Sequence, residues 1–474
     1  MTDIHDFGDH FHDECGVVGV WGHPEAATLC HLGLHALQHR GQEGAGIVSA
    51  QGRELYAHRG RGLVADVFAD EESVARLVGN RAVGHVRYST AGTSDLRNVQ
   101  PLQVEFAGQK IAVSHNGNLV NARSLKAELE NEGAIFHATS DTEIIVHLIA
   151  RSKQKSFMNK VVDAMGRVEG AWSLLFLTPD VLVAARDPMG FRPLVLGRGL
   201  NGAWVVASET CALDLIEATY ERDVEPGELV LIDDLGLTSF HPFPQSPRSQ
   251  CVFEYLYFAR PDTSLWSRDV YSVRLRLGER LAAEQPADVD IVIPVPDSGV
   301  SAALGFANAL GLPFHLGLMR NHYVGRSFIE PTQKIRDFGV KLKLNPVPGL
   351  LKGKRVAVVD DSLVRGTTCA KIVRMLRKAG VAEVHLRIAA PPTTGPCFYG
   401  IDTPTRGELI ASSNTVKEIG HYVGADTIGY LSIAGMHQAV HDDEGGYCDA
   451  CFSGRYPLEP RGDDAVDQLG LFDV

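Results

Sequence analysis

Between Arg355 and Thr368 the chain reads RVAVVDDSLVRGTT, an order that few folds accommodate. Val356 to Val359 is a short β-branched run, the pattern of a buried parallel strand. Two carboxylates, Asp360 and Asp361, follow at its carboxyl end, then a loop of hydroxyls and glycine from Ser362 to Thr368. A helical pattern resumes at Cys369 to Lys378, with Ile372, Val373 and Leu376 on one face. A strand, a polar loop and a helix start make an anion cradle, because free N–H groups and the positive end of the helix dipole converge there. Thr367 and Thr368 can add hydroxyl donors. The acidic pair repels a phosphate but suits ribose hydroxyls and hydrated Mg²⁺. The loop therefore fits a sugar phosphate better than it fits an ordinary βα turn with a solvated Asp pair. A second apolar run, Ile291 to Pro296, ends in Asp297-Ser298-Gly299. That tripeptide alone is also common turn chemistry.

The 474 residues imply two or three domains with ample core. A net charge of −13 argues against a general nucleic-acid binder. Hydrophobic content of 45% and charged content of 22% are those of a soluble globular protein. No apolar run approaches the roughly 18 residues of a membrane span. The first fourteen residues, MTDIHDFGDHFHDE, are acidic and His-rich and lack the features of a secretory signal, so a cytoplasmic location is expected. Eight cysteines in a chain this long are free, metal-bound or catalytic rather than a disulfide scaffold.

The first half mixes strand-like runs (Ile111–Val113, Trp172–Leu177, Val181–Ala185, Trp204–Ala207, Leu229–Ile232) with helices at Leu29–His39 and Thr142–Arg151. That is a layered α+β pattern. The Pro- and Ser-rich stretch His241 to Ser249 marks a boundary. Beyond it, strand-like runs at Ile291–Val295, Val356–Val359 and Val384–Ala389 alternate with helical patterns, predicting an α/β domain with a parallel sheet. The Glu-, Asp- and Gly-rich tail from Leu458 is expected to be disordered.

Cys15 lies in Glu14-Cys15-Gly16. Were residues 1–14 removed, Cys15 would carry a free α-amino group, with an ordinary pKa of about 7.7–8.0. One residue would then supply both nucleophile and base. On its own, Cys15 reads more simply as a buried residue beside a strand. Three further segments bear on it. Arg87, in Gly84-His85-Val86-Arg87-Tyr88-Ser89-Thr90, can fork onto a carboxylate. Asn116 and Gly117, in Ser114-His115-Asn116-Gly117-Asn118, offer an amide and a glycine N–H side by side, the parts of an oxyanion hole. Asp141 opens a helix and is free to bind a cation. Taken singly, each reads as a surface Arg, an Asn-Gly turn and a helix cap.

Together the four segments resemble the glutaminase domain of the N-terminal-nucleophile (class II) amidotransferases. The resemblance implies that Cys15 attacks the glutamine amide, Arg87 clamps the α-carboxylate, Asp141 the α-ammonium, and Asn116 with the Gly117 N–H stabilises the oxyanion. Leu34 to Glu43 also fits, whereas Thr93 stands where a second glycine is expected. The run Arg355–Thr368 resembles the phosphoribosylpyrophosphate signature of type I phosphoribosyltransferases. It implies Asp360 and Asp361 on the ribose hydroxyls and Ser362, Arg365, Gly366, Thr367 and Thr368 around the 5′-phosphate. Ser298, with Asp360 and Asp361, would ligate one Mg²⁺.

Two such domains in this order resemble the glutamine phosphoribosylpyrophosphate amidotransferases over nearly the whole chain. The implied layout is a propeptide 1–14, a glutaminase domain 15–245, a phosphoribosyltransferase domain 246–457 and a tail 458–474. Ammonia freed in the first domain would displace pyrophosphate at C1 of the ribose in the second, opening purine synthesis. Arg320 to Asn345, basic and Gly-containing, is expected to close over the sugar phosphate and line the ammonia passage, with Tyr323 central and Tyr88 and Tyr257 as further candidates. A homotetramer inhibited by purine nucleotides is also implied. By spacing alone, Cys448-Asp449-Ala450-Cys451 leaves zinc, a redox pair or neither open. The iron–sulfur-containing members of the family imply a [4Fe–4S] cluster on Cys251, Cys397, Cys448 and Cys451. Cys30, Cys211 and Cys369 read as buried small residues. Two rivals are a hexosamine or asparagine synthase, which does not use the Asp360–Thr368 loop, and a ligand-sensing regulator, which needs a DNA-binding module not evident here.

Overall fold

The computed structural model describes residues 15–88, 95–321, 344–403, 405–441 and 446–459. The first half is two antiparallel sheets packed face to face and flanked by helices, an αββα form of the layered α+β pattern expected. The seven-stranded sheet has the order Thr219–Asp223, Val195–Arg198, Trp204–Ala207, Gly16–Trp21, Arg81–Arg87, Gly44–Gln51, Glu54–Arg61. The six-stranded sheet has the order Gly236–Phe240, Leu229–Asp233, Leu182–Arg186, Gly170–Leu177, Gln109–Leu119, Leu102–Phe106.

Gly16–Trp21 is central, and its sequence GVVGVW shows why alternation is missing. Val17 and Trp21 face the second sheet, packing with Leu175, Leu182 and Val230. Val18 and Val20 face the helix Ala26–Ala36, packing with Cys30 and Leu34. A strand covered on both faces has no solvent side to carry polar residues. Gly19 and Gly33 let these layers close, since a Cβ on Gly33 would lie 3.1 Å from Val18. On the outer face of the second sheet, Ile111, Val113 and Leu174 pack against Ile145, Ile149 and Met165 of two helices.

The chain from His241 to Ser249 has no regular structure and leads to the second half. There, four parallel strands lie in the order Ile291–Pro294, Arg355–Asp360, Glu383–Ile388, Thr427–Tyr430. The helices Val270–Glu284 and Val300–Leu310 pack on each other, as do Thr367–Lys378 and Val416–Val423. Val356–Val359 is wholly buried. Strand Thr427–Tyr430 was not anticipated, because its four residues, TIGY, carry too short an apolar run. Helix Thr142–Arg151 matches its predicted span, while the predicted Leu29–His39 ends at Ala36 and passes into a 3₁₀ turn, Gln38–Arg40. Among the described residues, no helix is long and apolar enough to cross a membrane.

Candidate active sites

Cys15 precedes the central strand and is buried, with its Sγ donating to the Tyr88 carbonyl at 3.4 Å. Burial pushes its thiol up to about 11, against the lowering effects of the Tyr88 hydrogen bond and Arg87. Asp141 and Glu43 raise it further. The thiol is therefore protonated at neutral pH as it stands. Arg87 closes the neighbouring strand Arg81–Arg87, buried, with Glu43 at 3.8 Å. The charges acting on Cys15 thus include both predicted clamps, Arg87 and Asp141, with Glu43 beside them.

Asn116 and Gly117 lie on Gln109–Leu119, opposite Ser173 and Trp172. Asn116 is 1% exposed, and both atoms of its carboxamide lack a hydrogen-bond partner among the described residues. An orphaned amide at this depth costs stability unless something else fills the position. Gly117 has φ +148°, and a Cβ there would sit 2.0 Å from the Ala171 carbonyl oxygen, so only glycine fits. Asp141 accepts from the Leu119 N–H at 2.9 Å and lies 3.6 Å from His115 Nδ1. Burial raises its carboxyl, but His115 and these hydrogen bonds outweigh that and hold it below the usual range. Thr93 lies outside the described residues.

The second site forms where two adjacent parallel strands end. Pro294 pairs with Val359, so the loops Pro296–Gly299 and Asp361–Gly366 leave the same edge of the sheet. In such sheets ligands bind outside the carboxyl ends of the strands. Asp360, Asp361 and Ser362 are buried. The Asp361 N–H donates to Asp360 at 3.0 Å, Ser362 Oγ donates to Asp361 Oδ1 at 2.5 Å, and Asp361 Oδ2 has no partner among the described residues. Gly366 adopts φ +78° and starts helix Thr367–Lys378 without a side-chain cap. The positive end of the helix dipole thereby faces the loop Asp361–Gly366. Ser298 is half-buried in the neighbouring loop, and Arg320 pairs with Asp297 at 2.6 Å. Arg365 instead pairs with Glu408 at 3.0 Å.

Residues 322–343, with Tyr323 and most of the expected lid, lie outside the described residues. The flanking strands Leu318–Arg320 and Leu344–Pro346 pair antiparallel, beside the Asp297 loop. Tyr88 contributes its carbonyl to Cys15, and Tyr257 accepts from Arg274 at 2.8 Å.

Cys251 and Cys448 are register partners in a two-stranded parallel ribbon. Burial raises the Cys451 thiol, and Cys251, Cys397 and Cys448 raise it further, so the four sulfurs share one neighbourhood. Among the described residues no three His, Cys, Asp or Glu side chains are arranged as a metal site. Cys30, Cys211 and Cys369 are buried, as expected.

Sequence reasoning missed the charges between the two halves. Arg40 donates to Glu209 at 2.5 Å, to both Glu254 oxygens at 2.9 and 2.7 Å, and to the Cys15 carbonyl at 3.2 Å. Arg274, fully buried in the second half, donates to the carbonyls of Tyr255, Tyr257 and Ala259 and feels the charge of Asp361. The available signal was charge inside apolar context, as in Phe253-Glu254-Tyr255.

Residues 85–215 match the family model of a glutamine amidotransferase domain. The chain is 57% identical over 454 residues to an amidophosphoribosyltransferase of Glycine max, covering 95% of this chain and 79% of that one. It is 50% identical to the amidophosphoribosyltransferase of Bacillus subtilis, covering 94% of each. The chain belongs to the amidophosphoribosyltransferase family. A solved structure of the glutamine phosphoribosylpyrophosphate amidotransferase from B. subtilis, complexed with ADP and GMP, superposes with TM-score 0.90 at 48% identity, covering 95% of this chain and all of that one. Another, described as the allosteric regulatory enzyme of purine biosynthesis, gives TM-score 0.91 at 49% identity over 95% of this chain and 97% of that one. As a family member, this enzyme transfers glutamine-derived ammonia to 5-phosphoribosyl-1-pyrophosphate, giving 5-phosphoribosylamine, glutamate and pyrophosphate, the first step of purine synthesis.

Proposed function

We propose the following division of labour among the residues. Cys15 attacks the glutamine amide, Arg87 and Asp141 hold the α-carboxylate and α-ammonium, and Asn116 with the Gly117 N–H receives the oxyanion. Asp360 and Asp361 hold the ribose hydroxyls, while Ser362, Arg365, Gly366, Thr367 and Thr368 surround the 5′-phosphate. The supporting observation is that each site contains a deeply buried polar group lacking a partner among the described residues at the position given a ligand, the Asn116 amide in one and Asp361 Oδ2 in the other. These are two of the nine residues that carry such atoms among the described residues, and both are accounted for if their positions belong to ligands.

Asp360, Asp361 and Ser298 would bind Mg²⁺, which supplies charge neutralisation for departing pyrophosphate. The unpartnered Asp361 oxygen suits that hard cation. Cys251, Cys397, Cys448 and Cys451 would hold a [4Fe–4S] cluster, which supplies a structural tie between chain segments. Their shared neighbourhood, with no disulfide between them, supports this reading. Further parts of the reading are release of residues 1–14 to free the Cys15 amine, a homotetramer, purine-nucleotide inhibition and a cytoplasmic location. Binding of ADP and GMP by the related B. subtilis enzyme supports the nucleotide reading.

The decisive experiment assays each variant with glutamine and, separately, with ammonium. Cys15→Ala should abolish glutamine-dependent synthesis and spare synthesis from ammonium. Asp361→Asn should lower both by roughly 10²-fold or more, since it touches the common acceptor. Retained glutamine use by Cys15→Ala would refute the first assignment. Iron and sulfide assays on anaerobically purified Cys448→Ser, against wild type, test the cluster.

A further inference from the structure

Gly117 belongs to a strand that is covered unevenly. Residues 109–113 pair on one side with Leu102–Phe106, and residues 112–119 pair on the other with the strand Gly170–Leu177. Beyond Val113 the Leu102–Phe106 pairing has ended, and among the described residues Gly117 has the single strand neighbour Trp172. Its own backbone, at φ +148° and without a side chain, is poorly restrained by local sterics. An oxyanion donor nevertheless needs its position held to a fraction of an ångström.

The second half of the chain meets Gly117 at this point. Gly400 has φ +100°, and a Cβ placed on it would lie 3.0 Å from the Gly117 Cα and 3.0 Å from its carbonyl carbon. Two glycines from the two halves thus touch backbone to backbone. The loop carrying Gly400 is tied down from the glutaminase side. Asn118 Nδ2 donates to the Phe398 carbonyl at 3.0 Å. Arg192 donates to the Tyr399 carbonyl through Nε at 2.8 Å and Nη2 at 2.6 Å. Phe191 stacks on the Tyr399 ring at 4.2 Å with 18° between planes. Arg192 and Phe191 are fully buried, so the tie is part of the core.

We propose that Gly400 is a positioning residue for glutamine hydrolysis: the 398–400 loop of the transferase half forms the rear wall that sets the Gly117 N–H. This rests on the oxyanion role given above to Asn116 and Gly117. The glutaminase site is then finished only when the two halves are docked, which couples amide cleavage to the presence of a folded acceptor domain.

Gly400→Ala adds a methyl against the Gly117 backbone at a φ that disfavours alanine. Its kcat for glutamine hydrolysis should fall on the order of tenfold to hundredfold. KM for glutamine should hold, because the affected interaction strengthens only in the transition state. Synthesis from ammonium should also hold, since that reaction bypasses Gly117. Asn118→Ala releases the loop without adding an atom and should show a smaller loss in the same parameter. Asn116→Ala is the control for the underlying reading. A selective kcat loss in Gly400→Ala or Asn118→Ala supports the proposal. Unchanged kcat in both, or parallel loss of both activities in both, overturns it. If Asn116→Ala itself keeps full glutamine turnover, the oxyanion assignment fails instead.

Discussion

Cys15 illustrates how a single residue is shaped by burial. Its thiol, pushed up to about 11, is inert at neutral pH while its amine is part of a peptide bond. In chains that keep residues 1–14, iodoacetamide should label Cys15 slowly near pH 7 and faster as pH approaches that value. Chains beginning at Cys15 should label readily near neutrality. Mass-resolved labelling rates against pH check this, and equal rates in the two forms would contradict a role for the free amine. His85 is the second case. It is fully buried with Nε2 bonded to the His115 carbonyl, and burial lowers it to about 3. An unfolded histidine takes up its proton near pH 6.5, whereas the folded one does not. Stability should therefore be full above that pH and decline as pH falls from there toward 3. His85→Gln should flatten that decline in denaturant titrations run at successive pH values.

The element that matters most is helix Thr367–Lys378 with its glycine start. Gly366→Ala forces a φ of +78° onto alanine and places a Cβ 3.1 Å from Ile410. The cost should be about 1–3 kcal/mol of stability. KM for phosphoribosylpyrophosphate, measured with ammonium as donor, should rise roughly tenfold because the first-turn N–H groups are displaced. An unchanged KM would remove this turn from the phosphate site. This element was legible in the sequence because all its parts are local: an apolar strand, an acid pair, a glycine and an amphipathic helix within Arg355–Lys378. The strands Gly44–Gln51, Glu54–Arg61 and Arg81–Arg87 were not. Glu54–Arg61 is an edge strand with a polar sequence, and Gly44–Gln51 is rich in Gly and Ala, so neither carries a clear period-two signal.

Over the whole molecule, the two halves are joined by buried charge. Arg40 and Glu209 from the first meet Glu254, Arg260 and Thr263 from the second, and Arg192 lies 3.4 Å from Glu254. Burial opposes ionisation of Glu209, yet His39 and Arg40 hold its carboxyl far below the usual range. Removing one cation from such a set strands the carboxylates. Arg40→Met should destabilise the protein by about 3–5 kcal/mol in urea unfolding. It should also depress glutamine hydrolysis more than synthesis from ammonium, because Arg40 holds the Cys15 carbonyl. A fully stable, fully active Arg40→Met enzyme would show that the network contributes little.

Sequence alone determined the family and its reaction, since the Cys-Gly start, the acid pair and the glycine turns are read from neighbours a few residues apart. Fold class followed from the same local patterns. The tertiary structure decided how the halves meet. Arg40 is 214 residues from Glu254, and Asn118 is 280 from Phe398. No periodicity or propensity acts over such separations; only packing brings those groups into contact.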